Sequence, residues 1–335
     1  MIELYIIIAF VTSLISLIIL RPFAIKFKLV DYPTERKNHI GNIPIVGGIC
    51  VFLGILISYL FYIEFDRFSS VLLITGSLIL IHGVWDDITN LKAQTKIVFQ
   101  VFVSAIMIYV TDVKLDTFGD LFGVSYPLQL GILSIPITIV AVIALTNAIN
   151  MIDGLDGLAA GIVLLAITGM IFFNLTLEFS PFTNILLATA SALLPFIIFN
   201  ITPYTKFKVF LGDGGSLFLG YIISWSLIYS AENINNFTPS FALWCVAIPL
   251  FDFFTVIIMR IVKKQPLMIA RKDHIHHCLK NFGFSKQLTL LLTVSFGLTI
   301  LLIGSFIENY FPALSFSIFL ILFLFYLFIR MYNNS

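Results

Sequence analysis

Charge is what this 335-residue chain has least of. Asp, Glu, Lys and Arg together make up 11% of it, against about 25% in soluble domains. With 59% hydrophobic residues, the scarcity excludes a soluble globular protein, because no aqueous core could hide that much apolar surface. Cysteine is nearly absent too. Cys50, Cys245 and Cys278 are odd in number and far apart, which excludes a disulfide framework and any zinc spacing; Cys50 and Cys245 read as small core residues. No low-complexity tract, soluble domain or long internal repeat stands out. Residues 2–20 lack a basic n-region and a small-residue cleavage site, so they read as a retained span and not as a signal peptide.

What remains is oily. A bilayer-spanning helix needs about 20 apolar residues, and that ruler finds eleven segments. They lie near 2–20, 44–63, 69–85, 94–111, 130–149, 157–176, 183–200, 214–231, 240–262, 287–306 and 311–329. The runs are too long and too uniformly apolar for alternating barrel strands. The expectation is an all-α integral membrane protein, a polytopic bundle of about 11 transmembrane helices forming one domain over 1–335.

The few charges are sorted by side. The loops 21–43, 86–96, 201–213 and 263–286, with Arg260 and the tail after 329, hold 17 of the 19 Lys and Arg residues. The positive-inside bias makes that face cytoplasmic, with the N-terminus outside and the C-terminus inside. Eight acids accompany those 17 bases, and nine acids accompany the two bases of the other face. Asp252 alone sits within a span. An excess of positive charge indoors is what any such protein shows; it also collects anionic phosphates.

The unusual polar residues fall in five stretches of the cytoplasmic side: loops 21–43, 86–96, 147–161, 201–216 and 263–286. "DYPTERKNHIGNIPIVGG" (31–48) offers Lys37 and His39 ahead of a glycine pair. "GVWDDITNLKAQTKIVFQ" (83–100) ends a span with adjacent carboxylates, Asp86 and Asp87. Neighbouring acids repel and call for a cation or full hydration, and Mg²⁺ uses one or two carboxylates together with substrate phosphates. "NAINMIDGLDGLAAG" (147–161) repeats Asn147, Asn150, Asp153 and Asp156 every third residue. On a helix these would form a polar stripe, loosened by Gly154 and Gly157, whose backbone N–H groups suit an anion. An EF-hand order is absent. "KVFLGDGGSLFLGY" (208–221) sets Asp213 among glycines, as a turn and cap or as a metal-binding carboxylate; it is no Walker loop. "RKDHIHHCLKNFGFS" (271–285) gathers Arg271, His274, His276 and His277. A zinc site there lacks a fitting fourth ligand, whereas hydrogen bonds to phosphate need only the imidazoles and the bases. His82 reads as structural, and Asp252 as paired to a neighbouring helix.

Taken together and in this order, the five motifs resemble those of the polyprenyl-phosphate N-acetylhexosamine-1-phosphate transferases, glycosyltransferase family 4, over essentially the whole chain. "HIHH" in the last loop is similar to the bacterial undecaprenyl-phosphate GlcNAc-1-phosphate branch rather than the MurNAc-pentapeptide branch. The resemblance implies an enzyme of the bacterial inner membrane with its active site facing the cytoplasm. It would move an N-acetylhexosamine-1-phosphate, GlcNAc-1-phosphate first among them, from a UDP-sugar to undecaprenyl phosphate. UMP would be released and a cell-envelope glycopolymer begun. It implies Mg²⁺, with Mn²⁺ as a substitute, on Asp86, Asp87 and Asp213. Those three and His277 would be catalytic, and Lys37, His39, Asn147, Asn150, Asp153, Asp156, Asn200, Arg271, His274 and His276 would bind substrate. The bilayer is a partner and a homodimer a candidate; nucleic acid is not expected.

A transporter or channel using the Asp/Asn cluster is the reading from another class. The acids gather at one face rather than the midplane, and the outer half carries no matching polar set, which alternating access would require. FucNAc-, QuiNAc- or MurNAc-type donors are the alternatives within the same chemistry.

Overall fold

A computed structural model describes the chain except residues 1, 34–40, 62–64, 122, 124–125, 174–179, 235–236, 267–272 and 333–335. Its helices are α1 (Ile2–Lys26), α2 (Gly47–Leu60), α3 (Arg67–Thr89), α4 (Ala93–Thr111), α5 (Ser134–Ile152), α6 (Leu158–Phe173), α7 (Pro181–Ile201), α8 (Gly212–Asn233), α9 (Pro239–Cys245), α10 (Ala247–Val262), α11 (Ile275–Asn281), α12 (Lys286–Tyr310) and α13 (Pro312–Tyr332). Two short strands, β1 (Val30–Asp31) and β2 (Ile43–Pro44), pair antiparallel, Val30 facing Pro44 and Asp31 facing Ile43.

Among the described residues eight helices are long and apolar enough to cross a membrane, or nine if the bent pair α9–α10 counts as one span. The protein is a multi-pass, largely helical membrane protein. Each of the eleven expected segments holds helix, but two fall short of a span. The 14 residues of α2 reach about 21 Å at 1.5 Å per residue, against a hydrocarbon core of roughly 30 Å. Over its 16 described residues, which adjoin the undescribed 174–179, α6 is little longer. The expected span at 240–262 is broken by an 85° bend. Pro249 accounts for it: its ring lacks an N–H and crowds the carbonyl of residue 245, the residue where α9 ends.

The chain divides into two compact units, Met1–Thr111 with Thr176–Ile222, and Asp112–Leu175 with Ile223–Ser335. In the first, α1, α2 and α7 pack on one another, and α3 packs on α4. Serines join the helices where the hydrophobic effect cannot. The Ser13 hydroxyl donates to the Ala192 carbonyl at 2.8 Å, Ser58 to Tyr5 at 2.8 Å and Ser191 to Ile6 at 2.7 Å. Such bonds supply the directional attraction that lipid leaves wanting.

The start of α8 is the tightest place in this unit. A Cβ on Gly48 of α2 would lie 2.2 Å from Gly215 Cα, and one on Gly83 of α3 would lie 2.4 Å from Gly214 Cα. The backbones of α2 and α3 therefore both touch that of α8, which explains why "VGG", "HGV" and "GDGGS" carry glycine. The loops entering α2 and α8 also pair: Gly47 N–H donates to the Phe210 carbonyl at 2.9 Å and Gly48 N–H to Leu211 at 3.1 Å.

In the second unit α12 packs against α6, α9 and α13, and α10 against α5 and α13. The buried Glu308 carboxyl accepts from the Thr238 hydroxyl at 2.5 Å and from the Ser315 hydroxyl, which itself accepts from Trp244 Nε1 at 3.0 Å. One acid on α12 thus ties α13 and the segment opening α9 to it.

Gly48→Val places branched carbons where Gly215 Cα already sits, and over-packing of this kind costs about 1–3 kcal/mol or more. The detergent-solubilised variant should unfold at a clearly lower temperature than wild type, whereas Gly41→Val, where nothing lies within 4 Å of a Cβ, should lose only what its positive φ demands.

Candidate active site

Asp86 and Asp87 end α3, and Asp213 opens α8. Asp86 is buried. Its Oδ1 accepts the Leu91 N–H at 2.7 Å and its Oδ2 meets Lys96 Nζ at 2.5 Å. The same ammonium stands 3.7 Å from Asp213 Oδ2. Asp87 does something different. Its Oδ1 accepts Asp213 N–H at 2.9 Å and its Oδ2 accepts Gly214 N–H at 3.2 Å. A carboxylate of one helix thereby caps the first turn of another, where free amides and the helix dipole favour negative charge. Gly212, at φ +80°, makes the turn that aims these amides at Asp87. The three acids thus meet within one unit, with Lys96 as the cation between two of them.

Among the described residues no three His, Cys, Asp or Glu side chains converge as a ready ligand set for a metal ion. The arrangement still fits Mg²⁺. Asp86 and Asp213 turn hard oxygen donors toward one cation, here an ammonium, and Mg²⁺ habitually takes one or two carboxylates and fills its shell with water and phosphate.

The second unit holds the other motifs. The expected polar stripe is only half helical: Asn147 and Asn150 lie on the last turns of α5, but α5 ends at Ile152, and Asp153 and Asp156 lie in the turn before α6. Gly157 at φ +80° is a conformation only glycine adopts freely. All four polar residues are half-buried, and the Asn147 amide donates back to the Ile143 carbonyl at 2.7 Å. The histidine loop lies on this turn. A Cβ at Gly154 would come within 2.3 Å of His276 Nε2, so the glycine is what lets an imidazole rest on the DGLDG backbone.

His276 is 1% exposed, and neither ring nitrogen has a hydrogen-bond partner among the described residues. Burial, with His277 beside it, pushes its pKa down to about 3, so its ring is neutral. The His276 and His277 rings are 4.2 Å apart, and the His274 ring lies parallel to that of His276 at 6.0 Å. His274, at the start of α11, directs Nδ1 to Asp252 Oδ2 at 2.7 Å. Asp273 receives a two-pronged bond from Arg260, both distances 2.9 Å.

Asn200 is buried and donates to the Val209 carbonyl at 2.9 Å, pinning the end of α7 to the strand of loop that precedes α8. Lys37, His39 and Arg271 lie outside the described residues. Two participants went unrecognised in the sequence. Lys96 counted only as one more inner base, although its place ten residues after Asp86 on the next helix puts it back over that acid. Arg330 looked like a terminal positive charge; a buried Asp252 was the signal that some span must carry a cation. His82, read as structural, stacks on Phe99 with ring centres 4.2 Å apart.

Paired carboxylates, a lysine and a set of buried imidazoles on a multi-pass helical frame define a membrane-embedded enzyme rather than a pore. The description "Glycosyl transferase family 4" matches residues 69–231, from α3 through α8. The chain is 35% identical over 298 residues to the probable undecaprenyl-phosphate N-acetylglucosaminyl 1-phosphate transferase of Bacillus subtilis, covering 87% of this chain and 82% of the relative. It is 32% identical over 294 residues to the undecaprenyl-phosphate alpha-N-acetylglucosaminyl 1-phosphate transferase of Escherichia coli K12, covering 85% and 78%. The chain belongs to glycosyl transferase family 4, the polyprenyl-phosphate N-acetylhexosamine-1-phosphate transferases, and is a transferase.

The neutral His276 has a measurable consequence. Its pKa is lowered in the folded state from 6.5 to about 3, so between those values the unfolded chain binds a proton that the folded chain refuses. Stability should fall as pH drops below about 6.5 and go on falling toward 3. Thermal unfolding across that range should show a steeper acid loss for wild type than for His276→Asn; equal slopes would remove the imidazole as the cause.

Proposed function

We propose that the protein transfers GlcNAc-1-phosphate from UDP-GlcNAc to undecaprenyl phosphate, releasing UMP, and so starts a cell-envelope glycopolymer. The observation that carries this reading is the meeting of Asp86, Asp87, Asp213 and Lys96 at the ends of α3 and α8. The names of the relatives supply the acceptor and the sugar. The reaction takes place at the cytoplasmic side of a bacterial inner membrane, in a multi-pass chain with its N-terminus outside. The location of 17 of the 19 bases in the loops beside the motifs supports that orientation.

An oxygen of the lipid phosphate forms a bond to the sugar-linked phosphorus of the donor. The bond from that phosphorus to the bridging oxygen breaks, and UMP leaves with the electron pair. The nucleophile is already anionic at neutral pH, so positioning and charge neutralisation do most of the work. Asp86 and Asp213 would hold Mg²⁺, which when bound offsets the charge of the diphosphate. Asp87 keeps the start of α8, and with it Asp213, in place. Lys96 balances Asp86 and Asp213 between turnovers. In the second unit the half-buried Asn147, Asn150, Asp153 and Asp156, with His276 resting on Gly154, offer polar groups of the kind that bind a nucleotide or sugar.

Purified enzyme, undecaprenyl phosphate and Mg²⁺ should release UMP from UDP-GlcNAc, and a panel of UDP-sugars should rank it first. Chelation should stop release, and Asp213→Asn should lower it by roughly 100-fold or more, at least what loss of an outer partner of a bound metal costs. Should no UDP-sugar in the panel yield UMP, the reading is wrong; a preference for a FucNAc- or QuiNAc-type donor would replace the sugar and keep the chemistry.

A further inference from the structure

Asp252 lies within α10, 2% exposed, and its partners were not foreseeable from α10 itself. Oδ2 receives His274 Nδ1 at 2.7 Å. Oδ1 receives the Ile275 N–H at 2.8 Å and Arg330 Nη1 at 2.9 Å, with the Tyr326 hydroxyl at 3.4 Å. Arg330 Nη1 also donates to that hydroxyl at 2.7 Å, and Nη2 donates to the Asp273 carbonyl at 2.5 Å. One carboxylate therefore caps the first amide of α11 and orients the imidazole that begins it. One guanidinium from the last span cancels the charge of that carboxylate and grips the backbone one residue earlier.

This arrangement decides which nitrogen of His274 carries the proton. A carboxylate only accepts, so Nδ1 must donate. Arg330 pairs with Asp252, and Arg260 with Asp273, so each acid near the ring has a guanidinium of its own. Nε2 lies 3.8 Å from Asp273 Oδ1, beyond hydrogen-bond reach. We propose that Asp252 and Arg330 are positioning residues that hold His274 in its Nδ1–H form, so that Nε2 accepts a hydrogen bond from a hydroxyl or amide N–H of the sugar donor. A phosphate oxygen, itself an acceptor, would find no proton there. The proposal rests on the reading of the protein as a UDP-sugar transferase and deepens it, giving His274 the sugar rather than the diphosphate.

The test uses full-length enzyme labelled with ¹⁵N-histidine, in nanodiscs, with His274→Gln assigning the resonance. At neutral pH and without substrate, His274 should show a protonated Nδ1 and an unprotonated Nε2, and Asp252→Asn should lose that preference. The spectrum is read on resting enzyme, so it decides the tautomer even if no UDP-sugar releases UMP. In turnover, Asp252→Asn should slow kcat by about 10–100-fold, as loss of an orienting partner does, and Arg330→Lys should retain most of the rate. Removing one charge alone leaves the other buried and unpaired and endangers the fold. The double variant Asp252→Asn/Arg330→Met avoids this: it should unfold near the wild-type temperature yet stay slow. A wild-type His274 that carries its proton on Nε2, or on both nitrogens, overturns the proposal. So does a double variant that turns over at the wild-type rate.

Discussion

The amides at the start of α8 need an acceptor, and the nearest one belongs to another helix. Asp87 supplies it, accepting from both Asp213 and Gly214. This bond can form only because nothing larger than hydrogen separates α8 from α2 and α3 at Gly48, Gly83, Gly214 and Gly215. Local glycines, a cross-helix cap and the direction of the Asp213 side chain are thus one constraint seen three ways. The second aspartate of the pair serves the backbone, which leaves the first to face a cation.

The second unit solves a harder problem, the burial of full charges. Asp252, Asp273, Arg260 and Arg330 pair so that each acid has its own guanidinium. Such a set gains little net stability over apolar packing, and breaking one member is costly. Its value lies in direction: each carboxylate oxygen has a fixed donor, and the short helix of histidines is carried by them. Next to this network sits His276, buried, with neither ring nitrogen hydrogen-bonded among the described residues. A buried ring nitrogen without a partner costs free energy until something bonds it.

Hydropathy made the helical segments legible, since a 20-residue apolar run has few other fates. It could not say where a helix stops short. The broken segment had its cause in plain view in Pro249, whereas nothing in the hydropathy of 44–63 marks that its helix runs only from Gly47 to Leu60. The third-residue rhythm of Asn147, Asn150, Asp153 and Asp156 suggested one continuous stripe; α5 ends at Ile152, and the two aspartates lie in the turn that the positive-φ Gly157 completes. Motif residues could be picked out because carboxylates and imidazoles are rare in so apolar a chain. Their partners could not. Lys96 and Arg330 each lie on a different helix from the acid they serve, and sequence distance carries no sign of that.

The shortness of α2 reaches beyond its own packing. At about 21 Å, a helix cannot touch both water layers of an ordinary bilayer, so an end held at the depth of the acyl tails would need protein partners for its free backbone groups. Non-helical backbone survives there only when protein atoms replace water around every peptide group. The amides of Gly47 and Gly48, answered by the carbonyls of Phe210 and Leu211, meet that requirement without lipid or solvent. A helix this short is thereby moored by its first turn to the chain that leads into α8, so the two elements keep one common footing.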